Sequence, residues 1–210
     1  MVPKRRIIIV DGVTNAGKTT AVSILRKQMP GCTQVKFSDY YQKSVQRILG
    51  EVKPTVDYSS LSADVVQQAV DSNLARYWGM LNTVRSTPLD DYLIERLHPT
   101  DYVYQKQLFG SVGTFEPIED ALNELEAALV VLSIDDKTLK HRMDETLSRR
   151  NRRHGASFEV PEHILSYDSN RQKRDVYLEF FEQSRVAKKV LIDTSYFTEE
   201  DFRKTLMREL

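Results

Sequence analysis

Near its start the chain reads Gly12-Val13-Thr14-Asn15-Ala16-Gly17-Lys18-Thr19, a match to G-x-x-x-x-G-K-[ST]. The apolar, β-branched run Ile7-Ile8-Ile9-Val10 precedes it, and a segment with Ala21, Ile24 and Leu25 at helical spacing follows. A buried strand, a tight turn and a helix are therefore expected in that order. Gly12 and Gly17 permit backbone angles that let the turn point its N–H groups at a phosphate, and the positive end of the helix adds to that field. In such a loop Lys18 is expected to reach the β- and γ-phosphates of ATP, and the Thr19 hydroxyl to hold Mg²⁺. Thr14, Asn15, Ala16 and Thr20 complete the expected ATP-binding set. The motif alone does not separate a kinase from an ATPase or a nucleotide switch.

The rest of the chain repeats the alternation. Val35–Phe37, Tyr92–Ile94, Leu129–Ile134 and Val190–Ile192 are further short apolar runs. Helical patterns lie between them: a long one from Leu61 to Leu81, one opened by Pro117, one beginning near Thr138, and one around 168–186. Thr198 and Asp201 form a capping box for a last helix. Five strands alternating with helices predict an α/β fold, a five-stranded parallel sheet with helices on both faces. No repeat or linker divides the chain, so one domain over 1–210 is expected.

Composition narrows the function. Thirty basic and thirty acidic residues leave no net charge, which disfavours a protein that coats nucleic acid, although a local patch stays open. Cys32 is the single cysteine, so neither an internal disulfide nor a multi-cysteine zinc site is available. The apolar runs are too short for a membrane span or a signal sequence, and a soluble, cytoplasmic protein is expected. A GTPase would carry N-K-x-D on a late strand; the corresponding stretch is Leu132-Ser133-Ile134-Asp135-Asp136-Lys137. The apolar strand ending in Asp-Glu of many ATPases is also missing.

The third strand ends in Glu95-Arg96, at the sheet edge where open α/β sheets bind ligands. Glu95 is a candidate metal-water ligand or base, and Arg96 a candidate phosphate clamp. The alternative is a surface ion pair at a strand end. The stretch from Glu95 to Gln105, Glu-Arg-Leu-His-Pro-Thr-Asp-Tyr-Val-Tyr-Gln, resembles the thymidylate kinase pattern D-R-x-x-x-S-x-x-x-Y-Q. It is also similar to the E-R-S stretch of deoxynucleoside kinases. The resemblance implies a P-loop kinase three-layer fold and a nucleoside or nucleotide acceptor. It implies that Arg96 handles phosphate and that Thr100, Tyr104 and Gln105 face the acceptor. Arg76, on the long helix, matches an arginine these kinases carry upstream, with a solvated helix face as its alternative.

Phe37-Ser38-Asp39-Tyr40-Tyr41, together with the phosphate loop, resembles uridine kinase and nicotinamide riboside kinase. There the aspartate is the base for the acceptor hydroxyl, which makes Asp39 a candidate general base and Tyr40 an acceptor contact. The alternative for Asp39 is a helix N-cap after the strand, a job the same position can do alongside catalysis. From Lys137 to His154 there are seven Lys/Arg and two acids. This position is the LID of nucleotide kinases, expected here as an exposed loop within about 142–160. Arg142, Arg149, Arg150, Arg152 and Arg153 are its candidate phosphate contacts, with Arg149 and Arg153 assigned to catalysis. Glu116–Asp136, with seven acids and no Lys/Arg, is expected to be a solvated helix face. Glu95 stands where thymidylate kinases have aspartate, and their Arg-x-Pro-Gly segment is absent. The acceptor is thus open between a nucleoside, a monophosphate and a hydroxyl on DNA or RNA, with a non-catalytic switch as the reading from another class. No membrane partner is expected, and a homodimer is left open.

Overall fold

A computed structural model describes residues 5–37, 48, 61–110, 112–154, 166–195 and 198–210, with backbone alone at 108–109 and 150–154. Five strands form one all-parallel sheet: β1 (Ile7–Gly12), β2 (Thr33–Lys36), β3 (Tyr92–Glu95), β4 (Ala128–Ser133) and β5 (Lys188–Asp193). Their order is β2-β3-β1-β4-β5. The helices among the described residues are α1 (Lys18–Gln28), α2 (Ala63–Ser86), α3 (His98–Phe109), α4 (Glu116–Glu124), α5 (Asp136–His154), α6 (Tyr167–Gln183) and α7 (Glu199–Glu209). This is the doubly covered α/β architecture that the alternating pattern predicts.

The three central strands are mostly apolar, because both of their faces are covered, and their polar residues Asp11, Glu95 and Ser133 come at or near their carboxyl ends. Ile9, Val10, Ile94 and Leu129–Leu132 are fully buried between the helix layers. The edge strands read differently. β2 is exposed at three of four positions, and β5 opens with Lys188 and Lys189, charges that discourage edge-to-edge association. The strand order reverses around β1, which pairs with β3 on one side and β4 on the other. A crevice therefore opens beyond the carboxyl end of β1, where the phosphate loop begins.

Gly12 is required at this point. Its φ is +139°, and a Cβ built on it would lie 2.3 Å from the Leu132 carbonyl oxygen of β4. No side chain fits while β1 and β4 stay paired.

Three helices carry side-chain caps that their sequences suggest. Ser62, Ser166 and Thr198 accept from the N–H groups of Val65, Ser169 and Asp201. Helices α1, α3 and α4 have no side-chain cap, their N-cap residues being Gly17, Leu97 and Phe115. At the start of α3, Asp11 on β1 takes the N–H groups of Leu97 and Thr100 in place of a local cap, each at 3.1 Å. The stretch after Glu95-Arg96 is thus a helix capped from the neighbouring strand.

Two expectations change. The basic run through His154 is helical, the last turns of α5, rather than a loop. Arginine is a good helix former, and positive charge suits a helix carboxyl end. The acidic face of α4 is not wholly solvated either: Glu119 is buried. It accepts from the Ser184 hydroxyl at 2.6 Å and the Arg185 N–H at 3.0 Å, and its other neighbour is His98 Nε2 at 3.3 Å. Burial pushes the Glu119 carboxyl up, but those contacts outweigh it and leave it below its ordinary value. No described helix is long and apolar enough to cross a membrane.

The Gly12 geometry gives a stability prediction. Gly12→Ala should lower the unfolding free energy by roughly 3 kcal/mol or more, through backbone strain and the clash with β4. Urea denaturation of the two proteins measures it.

Candidate active site

The phosphate loop is shaped by backbone conformation. Asn15 and Gly17 adopt positive φ, 66° and 91°, which turns the chain back toward α1. No acid occupies the first turn of α1, so the positive field at that helix end is not cancelled locally. Lys18 is 7% exposed, and its ammonium donates to the carbonyls of Gly12 at 2.6 Å and Val13 at 2.8 Å. Those bonds fold the side chain over the loop.

Helix α5 holds the far side of the loop. Arg142 donates to the Asn15 carbonyl at 3.2 Å and to the Thr194 carbonyl at 2.6 Å. Thr146, one turn on, donates to Asn15 Oδ1 at 3.2 Å. The Thr194 hydroxyl lies 3.1 Å from the Ala16 carbonyl. Burial pulls the Arg142 guanidinium below its ordinary value, partly offset by Glu145, Asp135 and Asp193. Arg142, expected among the arginines over the transferred group, is here the brace of the loop.

The loop faces a cleft of about 590 Å³. Its walls include Thr14, Asn15, Gly17, Lys18, Thr19 and Thr20 on one side. Glu95, Arg96 and Arg149 line the other parts, and Thr194 and Phe202 lie toward α7. Arg96 has φ +66°, a conformation costly for a non-glycine residue, at the point where the chain leaves β3. Glu95 is 8% exposed and forms an ion pair with Lys36 at 2.9 Å. Oxygen donors of this kind, the Thr19 hydroxyl and the Glu95 carboxylate on one cleft, suit a hard cation such as Mg²⁺.

A narrow throat of about 20 Å³ continues the cleft toward α3 and α6. Gly12, Thr100, Tyr104, Lys173 and Tyr177 line it, and Lys18 and Arg96 border both spaces. Beneath it Asp11 is fully buried. It accepts from the Gly12 N–H at 2.8 Å and the Tyr177 hydroxyl at 2.9 Å, and from the Thr100 hydroxyl at 2.8 Å. Thr100 is therefore tied to Asp11 as well as facing the throat. A second buried acid, Asp101, accepts from Asn73 Nδ2 of α2 at 2.9 Å. Burial raises the Asp101 carboxyl to about 7, against the opposing pull of Tyr77, Asn73 and Arg76.

The structure thus brings the phosphate loop, Glu95, Arg96 and Arg149 to one cleft and Thr100 and Tyr104 to its throat. Arg76 does not line either space; its charge acts on Asp101. Gln105 is 2% exposed, with its Oε1 accepting from the Gly113 N–H at 2.9 Å and its Nε2 without a partner among the described residues. Asp39 and Tyr40 lie outside the described residues, as does the Arg153 side chain. Sequence reasoning missed Lys36, which the strand-edge rule that marked Glu95 would have found. It also missed Lys173, which sits one helical turn before Tyr177, and the Asp11 network.

Comparison with known proteins adds the fold. The chain superposes on thymidylate kinase from Candida albicans with a TM-score of 0.58 at 16% identity, over 98% of this chain and 90% of that one. It superposes on the YorR protein from Bacillus subtilis, solved in complex with phosphorylated GDP, with a TM-score of 0.55 at 15% identity, over 96% of this chain and 94% of that one. The fold is that of the P-loop kinases. No family model matches the sequence, and no curated protein matches it.

Two predictions test this geometry. Arg142→Met should weaken binding of a nucleoside triphosphate to the loop about tenfold with a smaller effect on folding, because the Asn15 carbonyl loses its charged donor; calorimetric titration with ATP reads it. The Asp101 carboxyl titrates near pH 7 in the folded chain against 3.8 in the ordinary group, so between those values the folded state holds the extra proton. Stability contributed by that proton falls as pH rises through the window, by a few kcal/mol at most. Asp101→Asn should flatten the difference in unfolding free energy between pH 5 and pH 7.5.

Proposed function

We propose that this chain is an ATP- and Mg²⁺-dependent kinase that moves the γ-phosphoryl group to a nucleoside or nucleotide, in the manner of thymidylate kinase. The observation that carries the reading is the single cleft lined by Lys18 and Thr19 of the loop and by Glu95 and Arg96 of the β3 edge. A triphosphate on the loop would point its terminal group toward Arg96. The fold shared with a thymidylate kinase, and with a protein solved with a guanine nucleotide, supports the same class.

In this mechanism an acceptor oxygen attacks the γ-phosphorus while the bond to the β–γ bridging oxygen breaks. Lys18 and Arg96 neutralise the charge that spreads over the phosphoryl oxygens, and Arg149 at the cleft wall adds to that field. Thr19 and Glu95 would hold Mg²⁺, which would supply positive charge to offset that of the phosphates. A monophosphate acceptor arrives with its oxygen ionised and needs no strong base. A hydroxyl acceptor needs one, and Asp39 and Glu95 are the candidates. Inward movement of the basic end of α5, with Arg153, would exclude water and limit hydrolysis.

The test is ATP consumption across a panel of nucleosides, nucleoside monophosphates and short oligonucleotides. Acceptor-dependent turnover is expected, abolished by EDTA, and Lys18→Ala should lower it by about a hundredfold or more. ATP consumption indifferent to every acceptor would point to a nucleotide switch instead.

A further inference from the structure

Arg96 stands in a backbone conformation that an arginine does not adopt unaided. Its φ is +66°, and a residue with a Cβ stays in that region only where its surroundings hold it there. The holding groups belong to β1. The Arg96 N–H donates to the Val10 carbonyl at 2.9 Å. The next N–H, that of Leu97, goes to a side chain: it donates to Asp11 Oδ2 at 3.1 Å. Leu97 is 1% exposed, so its N–H depends on that oxygen for a partner. The other oxygen of the same carboxylate accepts the Gly12 N–H, where the phosphate loop begins, at 2.8 Å. The hydroxyls of Tyr177 and Thr100 close over it from α6 and α3, at 2.9 and 2.8 Å. One oxygen of Asp11 is thus committed to the loop, and the other to the turn that presents Arg96.

We propose that Asp11 is a positioning residue for phosphoryl transfer, whose carboxylate sets the spacing between the phosphate loop and Arg96. The inference rests on the kinase reading above and deepens it. Asp11 is fully buried and lines neither the cleft nor its throat, so it acts through other residues and touches no substrate. Lys18 of the loop and Arg96 both line the cleft, and in the kinase reading both offset charge on the same phosphoryl group. A misplacement of about 1 Å at such a group costs about a hundredfold in rate. The β1–β3 ladder sets Glu95 against Val10. Past that register the turn at Arg96-Leu97 is held by the Asp11 side chain. A carboxylate suits this task, because both of its oxygens accept, and the backbone groups of Gly12 and Leu97 can only donate. An asparagine has a single acceptor oxygen. In that place it keeps one end of the clamp and gives up the other.

The test is a double-mutant cycle of wild type, Asp11→Asn, Arg96→Met and the double variant. Turnover is followed with radiolabelled ATP and the acceptor on which wild type acts, and kcat, the KM for ATP and Tm are read for each protein. With Arg96 present, Asp11→Asn should lower kcat about ten- to a hundredfold and leave the KM for ATP within about threefold. With Arg96→Met present, the same change should lower kcat by less than about threefold, because no guanidinium remains to be positioned. An equal loss of kcat in both backgrounds would overturn the proposal, since a role confined to folding acts alike in each. Unchanged kcat in Asp11→Asn would overturn it as well. If Arg96→Met shows no turnover, Arg96→Lys takes its place in the cycle, its flexible stem having no fixed fork to aim. If Asp11→Asn does not fold, Tyr177→Phe enters instead. It removes one donor to the carboxylate and leaves the backbone bonds in place, and it should lower kcat about three- to tenfold only where Arg96 is intact. Acceptor-dependent turnover without this coupling removes the inference and leaves the kinase reading. A wild type without acceptor-dependent turnover removes both.

Discussion

The carboxylate of Asp11 is the tie on which the site depends. It stands at the end of the central strand, fully buried, and draws donors from the loop, from α3 and from α6. A buried carboxylate is costly unless its lone pairs are filled, and here they are filled by groups from separate parts of the chain. Folding the strand therefore places the start of α3 and the inner face of α6. Glycine at position 12 allows β4 to come close enough to complete that arrangement.

Charge around the cleft is organised by side. On the loop side Lys18 is held by backbone carbonyls, and Arg142 is committed to Asn15 and Thr194. At the β3 edge Lys36 balances Glu95. Toward α3 and α6 the cations outnumber the acids exposed to the throat. The buried acids Asp11, Asp101 and Glu119 sit behind these surfaces, each enclosed by donors. They shape the helices rather than face the cleft.

The sheet and its helices were legible in the chain because short β-branched runs and helical periodicity alternate without interruption. The loop was legible because glycine, lysine and threonine at fixed spacing have few other uses between a strand and a helix. The Glu95-Arg96 pair was legible from its place at a strand end. What escaped depends on helices meeting in space. Lys173 acquires its setting from Tyr104, and Asp11 from Thr100 and Tyr177, far along the chain. Arg142 reads as one more basic residue until its carbonyl partners are known. Glu119 looked solvated because its enclosing groups come from α3 and from the end of α6.

Helix α5 carries the brace Arg142 and the cleft-wall residue Arg149 on one continuous rod. Their seven-residue separation spans about 10 Å at the rise of an α-helix. A stiff rod pinned near one end behaves as a lever. The contact with Asn15 is its fulcrum, so a small tilt there sweeps the arginine-rich tip through a larger arc. Any displacement of the Asn15 carbonyl would therefore be carried along the rod to Arg149.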